Sequence, residues 1–148
     1  LHFGRVWDGR REQPGLESSA SGEQMSLDKI GRYEIRGELG RGAMGIVYRG
    51  YDPNIGREVA LKTIHLDRQD AEAVERFRRE AKTAGILSHP NIVTIYDAGE
   101  DNGLFYIAME LVEGETLQDI MARGLMPMEQ VISIIGQVAA ALEYAHAR

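Results

Sequence analysis

The sequence predicts an α+β fold: a five-stranded antiparallel sheet with one long helix packed on it, then two further helices that begin a second packing unit. Three observations carry this. Between Tyr33 and Met109, short runs rich in Val, Ile and Tyr alternate with turn residues, the pattern of an antiparallel sheet. A single helical stretch, from about Asp70 to Leu87, interrupts those runs, with Val74, Phe77, Ala81 and Ala84 on one face. From Thr116 onward the periodicity is helical.

The elements follow in order. Tyr33-Glu34-Ile35-Arg36 and Ile46-Val47-Tyr48-Arg49 read as strands, with the glycine-rich stretch Gly40 to Gly45 between them. Asp52-Pro53-Asn54-Ile55-Gly56 is a turn, and Glu58 to Ile64 is a third strand. Asp67 or Asp70 can cap the long helix, because a carboxylate there accepts from the first free amides. Ser88-His89-Pro90 ends it, since the residue before a proline avoids helical geometry. Asn91 to Ala98 and Leu104 to Met109 are the fourth and fifth strands, joined by Glu100-Asp101-Asn102-Gly103. Glu113-Gly114 breaks the pattern; Thr116 to Arg123 is a short helix that Gly124 can end. Pro127 suits the first turn of a long helix to about His146, with Val131, Ile134, Ile135, Val138 and Leu142 at helical spacing. If that stripe has lost its partners, its side chains should be exposed.

Composition narrows the function classes. The chain has 148 residues, 43% hydrophobic and 27% charged, which is ordinary globular composition. A net charge of −6 disfavours nonspecific nucleic-acid binding. With no cysteine there is no disulfide frame and no thiol nucleophile, and the four histidines lack metal-ligand spacing. No run approaches the roughly 18 apolar residues a membrane span needs, so the chain itself reads as cytoplasmic. Residues 1–28 hold no periodic pattern and begin with Leu1; they are expected to be a disordered or non-native extension, with Met25 a plausible initiator. At the other end, Arg148 falls in a helical pattern with no Gly or Pro stop signal, so the chain reads as a fragment.

Gly40-Arg41-Gly42-Ala43-Met44-Gly45-Ile46-Val47 is G-x-G-x-x-G-x-V. Glycines there let backbone amides approach phosphate oxygens. Taken alone, the motif equally describes a hairpin turn. A dinucleotide fingerprint needs a helix directly after the glycines, whereas Ile46-Val47-Tyr48 looks like a strand; a Walker loop needs a following Gly-Lys-Ser/Thr, which is absent. Lys62, in the apolar strand Val59-Ala60-Leu61-Lys62, can be a solvated edge lysine or a phosphate ligand. Glu80 borders the apolar helix face, where a carboxylate benefits from a cation. That cation is Lys62 or, on the helix surface, Arg76 at i−4; otherwise the side chain snorkels to solvent.

Together these residues resemble the eukaryotic-like (Hanks-type) Ser/Thr protein kinases of bacteria. The resemblance rests on Gly40/Gly42/Gly45/Val47, then Val59-Ala60-Leu61-Lys62, then Glu80 in Phe77-Arg78-Arg79-Glu80-Ala81, in the family's order. Leu87 to Val93, Tyr106 to Gly114 and Leu142 to His146 extend it, from about Tyr33 to Arg148. It implies a kinase small lobe and hinge over 29–112 and the start of a large lobe over 113–148. It implies that Lys62 holds the α- and β-phosphates and pairs with Glu80, within about 4 Å in an active arrangement. A swung-out helix would separate the two. Gly40, Arg41, Gly42, Ala43, Met44 and Gly45 would fold over the phosphates. Leu39, Val47 and Ala60 would cover the adenine, Met109 would back the pocket, and the Glu110 carbonyl and Val112 amide would bond its edge. The implied cofactors are ATP and Mg2+, with the magnesium ligands and the catalytic Asp expected beyond residue 148 and no metal ligand in this chain. The implied partners are protein substrates, with no nucleic acid and no membrane segment here, room for a membrane anchor beyond residue 148, and room for a homodimer of the parent protein. The alternative is a non-catalytic, pseudokinase-like nucleotide-binding or interaction module.

Overall fold

The structure is a computed structural model that describes residues 28–42, 45–66 and 69–148. Its centre is a six-stranded antiparallel sheet in the order β1-β2-β3-β4-β6-β5. The strands are β1 (Lys29–Ile30), β2 (Tyr33–Gly42), β3 (Gly45–Asp52), β4 (Arg57–Ile64), β5 (Ile95–Asp101) and β6 (Leu104–Met109). The helices are α1 (Ala71–Gly85), α2 (Leu117–Ala122) and α3 (Met128–His146).

Five of the six strands are those expected; β1 is the addition. Two residues are too few to show a period of two, and β1 exists by pairing Lys29 with Glu34 and Ile30 with Tyr33. The fourth expected strand starts at Ile95, not Asn91. After Pro90 the chain is held in a tight turn instead: Asn91 N donates to His89 Nδ1 at 3.1 Å and Ile92 N to the His89 carbonyl at 3.0 Å. The hairpin after β5 turns on Asn102 (φ 50°) and Gly103 (φ 85°), two positive angles that suit a tight two-residue hairpin.

Strand alternation gives the sheet two unlike faces. One carries the buried cluster Ile30, Tyr33, Val59, Leu61, Tyr106 and Ala108. The other carries Ala60, Lys62, Ile64, Phe105, Ile107 and Met109, since Ala60 pairs with Met109, Lys62 with Ile107 and Ile64 with Phe105. The sheet curls until its first and last strands meet. Gly31 N donates to Asp101 Oδ2 at 2.7 Å, and Arg32 reaches both Asp52 at 3.0 Å and Asp97 at 2.9 Å. Burial, with Asp97 beside it, pushes the Tyr33 phenol well above its ordinary value. Burial also works to raise the Asp52 carboxyl, but the Arg32 guanidinium and the Asn54 amide hold it below its ordinary value.

α1 starts where the sequence placed it: the Asp70 side chain accepts from Ala73 N at 2.9 Å. The helix lies against the Lys62 side of the sheet, with Phe77 meeting Phe105 edge-on at 5.3 Å. α2 is capped at its N-terminus by Thr116 and Asp119 together. α3 touches the rest of the molecule through Tyr144, whose hydroxyl accepts from Ser88 N at 3.3 Å, and through Gln137, which accepts from Asn91 Nδ2 at 2.9 Å. Only Ala141 of α3 is buried. Ile135, Val138 and Leu142 are exposed, as expected of an apolar stripe without its partners; Val131 and Ile134 are half-covered. Among the described residues, no helix is long and apolar enough to cross a membrane.

Candidate functional site

The site is a cross-strand row on the α1 side of the sheet. Gly40 pairs with Val47, Val47 with Lys62, and Lys62 with Ile107. Directly opposed residues share a face, so Lys62 stands beneath the arms of the glycine-rich hairpin. Its neighbours two positions along are Ala60 and Ile64, and Ala60 is buried opposite Met109. The strands therefore bring together Gly40, Val47, Ala60, Lys62 and Met109. Arg41 pairs with Ile46, one step out of that row, so its side chain belongs to the other face. There it makes a two-point contact with Glu38, at 2.9 and 3.3 Å. Only its backbone can serve the row. Ala43 and Met44 lie outside the described residues.

The glycine hairpin is fastened to β4 by a residue that the sequence reading passed over. Thr63 is 1% exposed. Its hydroxyl accepts from Ile46 N at 3.2 Å and donates to the Ile46 carbonyl at 3.0 Å. At Gly45, φ is +137° and a Cβ would fall 1.9 Å from the Thr63 carbonyl oxygen. That position admits no side chain. A threonine in a strand carries no sequence signal for such a clasp.

Past β6, Glu110 is fixed from two sides: its amide donates to the Thr94 carbonyl at 2.9 Å, and its carboxylate accepts from Thr94 N at 3.2 Å. Among the described residues, the Glu110 carbonyl and the exposed Val112 amide make no hydrogen bond. They are a free acceptor and a free donor, one residue apart, beside Ala60 and Met109. Leu39 is half-buried on β2, next to Gly40.

Glu80 departs from expectation. It is exposed, and among the described residues no ion pair joins it to Lys62 or to Arg76. The reason is where α1 leans. Its buried residues are Ala73 and Ala81, its aromatic contact is to Phe105, and its main contact with the sheet is β5. A cavity of about 470 Å³ remains between Phe77, Ala81 and Gly85 of the helix and β5. Lys62 and α1 are on the same side of the sheet, but the helix holds Glu80 away from β4. Among the described residues, no cluster of His, Cys, Asp or Glu could hold a metal ion.

The family model for the protein kinase domain matches residues 33–148. This chain belongs to the protein kinase domain family. The Bacillus subtilis serine/threonine-protein kinase PrkC is 45% identical over 118 residues, covering 78% of this chain and 18% of PrkC. The Mycobacterium leprae serine/threonine-protein kinase PknB is 42% identical over 121 residues, covering 78% of this chain and 20% of PknB. Among solved structures, the Mycobacterium tuberculosis PknI kinase domain superposes with a TM-score of 0.71 at 36% identity, covering 81% of this chain and 50% of that one. The chain thus spans about half of the solved kinase domain and about a fifth of the curated kinases. The curled antiparallel sheet, α1 and the two following helices match a kinase small lobe and the start of its large lobe.

Proposed function

We propose that this chain is the ATP-binding part of a Ser/Thr protein kinase that transfers the γ-phosphoryl group of ATP to protein hydroxyls. The observation that carries it is the row Gly40–Val47–Lys62 with the free Glu110 carbonyl and Val112 amide just past β6, after Met109. A triphosphate needs a cation and backbone donors. An adenine needs an apolar slot with a few fixed polar groups. The row presents these in the order in which a nucleotide carries them. Residues 29–112 act as the small lobe and hinge, and 113–148 as the start of the large lobe.

Each residue has a physical task. Lys62 neutralises charge on the α- and β-phosphates. The amides of the Gly40–Gly45 loop cover them, held down by Thr63 through Ile46. Leu39, Val47 and Ala60 exclude water from one adenine face, and Met109 closes the back. Glu80 is the carboxylate that fixes Lys62 once α1 shifts from β5 toward β4; that movement is a common form of kinase switching. Magnesium bound with ATP would supply further neutralisation of the phosphate charge. The described residues do not fit it as ligands, and none is assigned to it. Nor is any assigned to take the substrate proton, so residues 1–148 alone are proposed to be inactive. Phosphotransfer by the full-length protein is what separates an active parent from the alternative of a non-catalytic nucleotide-binding module.

The test uses an acyl-phosphate derivative of ATP on the full-length protein that carries this chain, with peptide mass spectrometry. The expected result is acylation of Lys62, suppressed by excess ATP. Labelling spread over surface lysines and indifferent to ATP would overturn the nucleotide reading.

A further inference from the structure

Arg49 lies in β3, two residues past Val47, and pairs with Ala60, which in turn pairs with Met109. It therefore projects from the same face as the proposed adenine slot, at the end nearer the segment that follows β6. Its Nη2 is 3.6 Å from Glu113 Oε1 and 3.8 Å from Glu58 Oε2. Its Nε is buried with no hydrogen-bond partner. The side chain as a whole is 40% exposed and that of Glu113 is 82% exposed, so the pair lies at the solvent edge of the sheet. Glu58 is itself steadied by Arg36, at 3.7 Å, whose guanidinium stacks 4.0 Å above the Tyr51 ring.

Glu113 sits on a stretch that little else holds. Between Leu111 and Glu115, no backbone hydrogen bond ties the chain to the sheet among the described residues. Glu115 faces the other way, pairing with Arg123 beyond α2 at 2.7 Å. So Glu110 is anchored to Thr94 on one side and Glu115 to Arg123 on the other, and between them, among the described residues, Glu113 makes the ion pair to a strand of the sheet. Without Arg49, Glu58 and Glu113 would face each other as like charges.

We propose that Arg49 is a positioning residue for nucleotide binding. Through Glu113 it holds the hinge segment against β3 and β4, and so fixes the distance between the Val112 amide and the slot wall at Ala60. The proposal rests on the ATP reading above. A partly exposed pair contributes little, so the effect belongs in nucleotide affinity and not in folding.

The test is steady-state kinetics on the full-length protein with varied ATP. Arg49→Met is expected to raise KM for ATP about three- to five-fold while kcat stays within about twofold. Glu113→Gln should give most of the same rise, and the double variant no more than Arg49→Met. Arg49→Lys, which keeps the charge, should recover part of the loss. Raising salt from about 0.05 M to about 0.5 M should narrow the gap between wild type and Arg49→Met, because the pair is screened. An unchanged KM, additive single variants, or an equal fall in kcat would each overturn the proposal. Lys62→Met, run alongside, separates the two readings. If it leaves activity intact, the nucleotide site itself is misplaced. If it abolishes activity while the Arg49 variants behave as wild type, only the positioning role is lost.

Discussion

A Cβ at Gly45 would stand 1.9 Å from the carbonyl oxygen of Thr63, whereas nothing lies within 4 Å of one at Gly42. The three loop glycines are thus not equivalent. Gly45 is required by the fold, and Gly42 is free for a backbone to pass close to a phosphate. Gly45→Ala in the full-length protein is expected to cost about 1–3 kcal/mol in stability, while Gly42→Ala leaves stability within about 0.5 kcal/mol and raises KM for ATP. Denaturant melts of both variants check this; equal destabilisation would contradict it. Asp52 makes a second residue-level prediction. Its carboxyl is held below the ordinary value by Arg32 and Asn54, against the pull of burial. A lowered carboxylate contributes stability above its unfolded value and loses it as pH falls through its folded one. Asp52→Asn should therefore lower the melting temperature at neutral pH and flatten the acid side of the profile below about pH 4. A profile parallel to wild type would contradict that.

At the scale of elements, the proposed site depends on the position of α1. Its position against β5 leaves Glu80 exposed and Lys62 without a carboxylate among the described residues. Glu80→Gln should therefore leave the melting temperature of the full-length protein nearly unchanged, since nothing is broken in this arrangement. It should still lower kcat/KM by about tenfold or more, because the proposed working arrangement pairs Glu80 with Lys62. A calorimetric melt beside a kinetic assay measures both, and unchanged activity would show that Glu80 has no part in the site. What the sequence displayed at this scale follows from range. The helix and five of the strands announce themselves by period, and Asp70 by local capping chemistry; the Thr116 cap appears only in the structure. The β1 pairing, the Thr63 clasp and the lean of α1 are contacts between residues far apart in the chain. No local pattern encodes them. The row Gly40–Val47–Lys62 was legible because a motif named its members; Arg49 and Glu113 belong to no motif, and only the register places them together.

For the whole molecule, the sheet closes on itself through Gly31 with Asp101 and Arg32 with Asp97, so the small lobe has its own core. α3 is the contrast, with Ile132, Ile135, Val138 and Leu142 between 52% and 63% exposed. An apolar face of this kind is a packing surface. The central claim is that Lys62 serves phosphoryl transfer from ATP. Transfer of radiolabelled phosphate from ATP to a protein substrate tests it most directly, on three samples: the full-length protein, its Lys62→Met variant, and residues 1–148 alone. Labelled substrate is expected with the first, a fall of at least about a hundredfold with the second, and none above background with the third. Undiminished transfer by the Lys62→Met protein would contradict it.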